Sequence, residues 1–170
     1  MNLADYVRTI PDFPIPGILF RDITPLLRNA RALEEATIRM AEPWKGKPVD
    51  LVASMEARGF SFGSAIAIEL DAGFVPVRKP GRLPFETNEL EYTLEYRADV
   101  VQIHRDAVEP GQRVLVADDL IATGGTAAAV VKLVENLGGE VLGAQFLIEL
   151  TELGGRELLG GYDVRSVMTF

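Results

Sequence analysis

A chain of 170 residues, 48% of them hydrophobic and 25% charged, is expected to form one domain that buries roughly 70% of the surface exposed by the unfolded chain. The absence of cysteine excludes disulfides, thiolate nucleophiles and cysteine metal sites, and the single histidine, His104, excludes a histidine-pair metal centre. Seventeen lysines and arginines stand against 25 aspartates and glutamates, a net charge of −8, which is the wrong sign for a nucleic-acid surface.

No apolar run approaches the ~18 residues of a membrane span. Met1 to Ile10 carries Asp5 and Arg8 where a signal peptide would be apolar, so a cytoplasmic chain with no membrane partner is expected. Ile10 to Leu27 is rich in proline yet keeps Phe13, Ile15, Leu19, Phe20 and Ile23, an irregular segment that is apolar rather than a solvated linker. Asn29 caps a predicted helix with Leu33, Ala36 and Met40 on one face and Pro43 as its stop. Val49 to Ser54 and Gly73 to Arg78 read as strands covered on both faces. Lys79 to Glu91, broken by Pro80, Gly81 and Pro84, reads as a polar and mobile connection. Arg113 to Asp118, a helix over Gly125 to Leu137 stopped by Gly138-Gly139, and Glu140 to Glu149 then form a βαβ unit. The fold class is therefore α/β, with a mostly parallel central sheet flanked by helices.

The strongest chemical signal is Val114 to Thr126, VLVADDLIATGGT. A buried strand ends in Asp118 and Asp119, and Ala122-Thr123-Gly124-Gly125-Thr126 opens the next helix at the end of the sheet where ligands bind in open α/β folds. Two glycines let backbone N–H groups approach an anion, two threonines add hydroxyls, and the helix supplies its positive end. A phosphate suits that loop. No lysine follows Gly125, so the loop is not of the nucleotide triphosphatase kind. The paired carboxylates would repel a phosphate unless they face something else; vicinal sugar hydroxyls or a divalent cation would suit them.

VLVADDLIATGGT resembles the phosphoribosyl pyrophosphate motif of the type I phosphoribosyltransferases. Phe13 to Pro25, Glu56-Ala57-Arg58-Gly59-Phe60, Arg78 to Pro84, Leu94-Glu95-Tyr96, Ile148 to Thr151 and Gly155 to Glu157 resemble the adenine-using members, in their order. The resemblance implies the type I fold in a single domain over residues 1–170. Within it, residues 1–27 would form an irregular base-binding hood and residues 79–97 a mobile closing loop. It further implies Mg2+-dependent transfer of phosphoribosyl to adenine in a homodimer, giving AMP and pyrophosphate. On that basis Ala122, Thr123, Gly124, Gly125 and Thr126 would cradle the 5-phosphate and Asp118 and Asp119 would meet the ribose hydroxyls. Arg58, Lys79 and Arg82, with Arg78 nearby, would meet the pyrophosphate. Leu19, Phe20, Arg21 and Leu120 would hold the adenine. Glu95 would handle the proton of the imidazole nitrogen, with Tyr96 beside it in the closing loop. Mg2+ would be held mainly through substrate oxygens, with no protein ligand.

The alternatives are the same chemistry on xanthine, hypoxanthine or orotate, and a non-catalytic sensor of phosphoribosyl pyrophosphate. Arg97, Gln102, Arg82 and Met55 depart from the family pattern. His104 and Trp44 are expected to be structural rather than catalytic.

Overall fold

The β-branched runs form strands, and the amphipathic segments between them form helices that cover the sheet those strands make. The computed structural model describes residues 1–94 and 97–170. In chain order the elements are β1 (Arg8–Pro11), β2 (Leu19–Asp22), α1 (Thr24–Leu27), α2 (Ala30–Ala41), β3 (Leu51–Met55), α3 (Arg58–Glu69), β4 (Gly73–Val77), β5 (Thr87–Leu94), β6 (Arg97–His104), β7 (Arg113–Ile121), α4 (Gly125–Asn136), β8 (Glu140–Glu149) and β9 (Asp163–Thr169). Among the described residues the strands form one five-stranded sheet, β4-β3-β7-β8-β9, and two antiparallel pairs, β1-β2 and β5-β6. Every pairing in the five-stranded sheet is parallel.

Alternation along β7 divides the core. Val114 and Val116 join one buried cluster with α4 and β6 residues such as Val130, Val134, Val101 and Ile103. Leu115 and Ala117 join a second with Ala36 and Met40 of α2 and Phe62 and Ile66 of α3. Both faces of the strand are thus covered, as its unbroken apolar run implies.

The Asn29 side chain accepts from Ala32 N at 3.0 Å, which caps α2 as predicted, and the helix gives way to a 3-10 turn over Glu42–Trp44. Trp44 is fully buried and its indole N–H donates to Gln145 Oε1 at 2.9 Å. Helix α3 lies tight on β3 and β7 because glycines face the sheet: a Cβ on Gly63 would stand 1.9 Å from Ser54 Oγ, and one on Gly59 would stand 2.4 Å from Asp118 Oδ1.

Two segments read as irregular contain paired strands. Ile10 to Leu27 turns back on itself so that Arg8 pairs with Asp22 and Ile10 with Phe20. The polar connection after β4 runs into the β5-β6 hairpin, whose register places Tyr92 opposite Asp99.

Candidate active site

The carboxyl ends of β3 and β7 converge with the turn into α4 around a cavity of about 330 Å3. Strand β7 runs past the expected end at Asp118, pairing with β8 as far as Ile121. Asp118, Leu120, Ala122, Thr123, Gly124, Gly125 and Thr126 all line the cavity, and Asp119 and Arg58 join them. Gly124 sits at φ 84°, a left-handed conformation that favours glycine, and a Cβ there would stand 2.2 Å from Gly155 O. The loop is therefore backed by the Gly155 segment. That segment is tied to the sheet by Arg156, which donates to Glu149 through Nε at 2.9 Å and Nη2 at 2.5 Å. The first N–H groups of α4 have no acceptor within the helix, and they belong to residues on the cavity wall.

The two aspartates differ. Asp119 is buried and forms an ion pair with Arg58, Nε to Oδ2 at 2.9 Å. Asp118 is half-buried and accepts from the Asp119 backbone N–H at 2.8 Å. Burial, and then the charge of Asp119, push the Asp118 carboxyl well above its ordinary range; burial also raises Asp119, with Arg58 opposing. The two carboxyls titrate as a pair, and burial favours the protonated form of that pair.

Arg58 also reaches toward the N-terminal hairpin, its guanidinium carbon 5.2 Å from the Phe20 ring centroid, while Phe13 packs edge-on against Phe20 at 5.0 Å. Leu19 is exposed. Arg21 stands over the Phe170 ring at 4.3 Å. Leu19, Phe20 and Arg21 border the site on the hairpin and are not part of the cavity wall.

Of the expected pyrophosphate cations, the cavity gathers Arg58 and Lys79. Arg78 and Arg82 instead turn to Glu56: Arg78 donates through Nη2 at 3.0 Å and Nε at 3.3 Å, and Arg82 Nη1 lies 3.6 Å away. Lys79 Nζ pairs with Asp99. Glu95 and Tyr96 lie outside the described residues.

Sequence reasoning gave no role to Glu56, Tyr92 or Asp99, all of which line the cavity. The Tyr92 hydroxyl lies 3.3 Å from Asp99 Oδ2 and 3.1 Å from Thr126 Oγ1, so the β5-β6 hairpin rests on the glycine-rich loop. The apolar-polar pattern of Thr87 to Leu94 was the available signal for this hairpin, and its charges, together with Pro80 and Pro84 just before it, obscured it. His104 accepts from Phe85 N at 3.3 Å, a structural role as expected.

Residues 21–165 match the phosphoribosyl transferase domain. With that match laid over a parallel sheet whose β7 end carries paired aspartates and a glycine-rich loop, the chain belongs to the phosphoribosyl transferase family. The chain is similar to the adenine phosphoribosyltransferase of Pseudothermotoga lettingae, 52% identical over 170 residues and covering all of both chains. The crystal structure of the Thermoanaerobacter pseudethanolicus adenine phosphoribosyltransferase superposes with a TM-score of 0.96 at 53% identity, covering 99% of this chain and 98% of that one. The Saccharomyces cerevisiae enzyme, crystallised with an imino-altritol bisphosphate and adenine, gives a TM-score of 0.90 at 38% identity, covering 97% and 96% of the two chains.

Proposed function

We propose that the chain is an adenine phosphoribosyltransferase, moving the 5-phosphoribosyl group of phosphoribosyl pyrophosphate onto N9 of adenine. The observation that carries this reading is a single cavity joining the Ala122–Thr126 loop, the Asp118-Asp119 pair and the cations Arg58 and Lys79, beside the Phe20 ring. The C1–O bond breaks with its electron pair leaving on pyrophosphate, the N9 lone pair forms the new bond to C1, and the N9 proton departs to a base. The loop N–H groups and the Thr123 and Thr126 hydroxyls take the 5-phosphate. Asp118 and Asp119 take the ribose hydroxyls and face the positive charge that develops on the ring, while Arg58 and Lys79 oppose the negative charge on the leaving group. Phe20 and Leu120 flank the base, with backbone groups of Leu19 and Arg21 at its edge.

Residues 1–27 act in this reading as the base-binding hood and residues 79–97 as the closing loop, both within a single domain. Glu95 receives the N9 proton and Tyr96 helps exclude water. In this reading Mg2+ takes its ligands mainly from substrate oxygens and water, and no protein ligand is assigned to it. When bound, that ion supplies charge neutralisation at the pyrophosphate. A cytoplasmic homodimer completes the reading; no helix among the described residues is long and apolar enough to cross a membrane, and sedimentation at twice the chain mass is expected.

The test offers purified protein, Mg2+ and phosphoribosyl pyrophosphate to adenine, hypoxanthine, guanine, xanthine and orotate separately. AMP and pyrophosphate formation with adenine alone is expected. Turnover with another base would overturn the base assignment, and tight substrate binding without turnover would favour a sensor. Glu95→Gln should lower kcat by ~100 to 10,000-fold with substrate binding largely retained; near-normal turnover would remove Glu95 from the mechanism.

A further inference from the structure

Glu56 presents a difficulty that its surroundings resolve. Its side chain is only 9% exposed and stands on the wall of the cavity that would receive pyrophosphate, where an uncompensated carboxylate would repel the substrate. Arg78 and Arg82 place guanidinium groups on Glu56 Oε2 at 3.0 and 3.6 Å. The other oxygen, Oε1, accepts from the Lys79 backbone N–H at 2.5 Å, and the Glu56 N–H donates to Val77 O at 3.0 Å. Burial would raise this carboxyl, yet the Lys79 N–H and the two arginines outweigh it and hold the group below the usual glutamate range. Glu56 is thus an ionised pin between two turns, the one that enters α3 with Arg58 and the one that leaves β4 with Lys79.

We infer that Glu56 is a positioning residue for the pyrophosphate end of the cavity. Its carboxylate docks Arg78, Arg82 and the Lys79 backbone against the turn that carries Arg58. Arg58 and the Lys79 ammonium, which lies 5.9 Å from the Tyr92 ring centroid, then stand on one wall. The inference rests on reading that wall as the pyrophosphate subsite. It also changes what Arg78 and Arg82 do in the free protein, where they neutralise Glu56 and leave Lys79 and Arg58 as the cavity-lining cations. Glu56 makes no bond to substrate in this scheme and acts only through the residues it holds.

Direct binding separates the possibilities. Pyrophosphate with Mg2+, and in a second experiment ribose 5-phosphate, are titrated calorimetrically into the full chain and into Glu56→Gln. The amide keeps an acceptor for Lys79 N but loses the charge that gathers the arginines. Pyrophosphate binding should weaken by about tenfold or more, the scale of a lost charge-assisted contact, with ribose 5-phosphate within about twofold of the parent. In turnover, KM for phosphoribosyl pyrophosphate should rise by the same factor while kcat changes little. Should Glu56→Gln prove unfolded, Glu56→Asp, which keeps the charge but draws it back by one methylene, must give the same selective loss. Undiminished pyrophosphate binding in the folded variant, or equal loss of both ligands, would overturn the positioning role while leaving the functional reading intact. Failure of the unaltered chain to bind pyrophosphate would overturn both.

Discussion

Asp118 serves two opposing demands. Its carboxyl is crowded by protein and by Asp119, which favours the protonated form, while the proposed contact with ribose hydroxyls calls for a strong acceptor. A carboxyl whose folded pKa lies above its unfolded value makes the folded state bind more protons, so stability declines as pH rises through the window between the two values. Asp118→Asn removes that penalty. The variant should melt above the parent at pH 7, with the difference closing as the pH falls toward the ordinary carboxyl range, and its turnover should drop about 10- to 100-fold through the lost charge-assisted bond. Thermal scans across pH together with steady-state rates check both; a variant that melts lower at neutral pH would contradict the burial argument. Gly59→Ala tests the same carboxylate from behind, because its Cβ would stand 2.4 Å from Asp118 Oδ1. It should reduce turnover with the fold kept, since the side chain of Asp118 can rotate away. The aspartate pair and the loop were legible in the sequence because they lie contiguously at a strand end. Tyr92, Asp99 and the Glu56 pin were not, because their partners arrive from other segments and depend on the hairpin register.

Strand starts and turns show the same division between local and distant causes. Asp50, just before β3, accepts from Arg113 N at 2.7 Å, Nε at 2.8 Å and Nη2 at 2.8 Å, which clamps the entry of β3 to that of β7. The side-chain and backbone hydrogen bonds from Arg113 lower its pKa to about 2. Because the folded value is depressed, the stabilisation is present above the ordinary value of 3.8 and is lost as pH falls toward about 2. Asp50→Asn should therefore lower the urea midpoint at pH 5, with the gap to the parent narrowing as the pH falls toward about 2, a comparison that denaturant titrations across that range make directly. Gln102 joins the β5-β6 hairpin to the turn after β4, its Oε1 accepting from Gly81 N at 3.2 Å and its Nε2 donating to Glu89 at 2.9 Å. A carboxylate in its place would lose the donor and face Glu89 with like charge. Four of the five strands of the central sheet, β3, β4, β7 and β8, and α4 were readable from β-branched runs and helical spacing, whereas β9 was not. Helix α3 was not, since Gly59 and Gly63 interrupt the pattern; they are present because the helix lies against Asp118 and Ser54, a contact visible only in three dimensions.

Because the cavity is assembled from β3, α3, the turn after β4, β5, β6, β7 and α4, a ligand that fills it binds the folded chain alone and must stabilise it as a unit. Phosphoribosyl pyrophosphate with Mg2+ at about 100 times its Kd should contribute about 2.7 kcal/mol and raise Tm by about 5–10 °C. Differential scanning calorimetry checks this; an unchanged Tm at saturating substrate would place the binding site elsewhere. The family, the α/β class and the glycine-rich loop at the end of β7 were determined by sequence alone, because each is written in neighbouring residues whose chemistry is local. The division of cations, with Arg58 and Lys79 on the cavity wall and Arg78 and Arg82 on Glu56, was decided only by the tertiary structure. The family resemblance implies that Arg58, Arg78, Lys79 and Arg82 lie near one anion, but which of them meet a buried carboxylate depends on how two separate turns are brought together, and the desolvated Glu56 draws the guanidinium groups that can reach it.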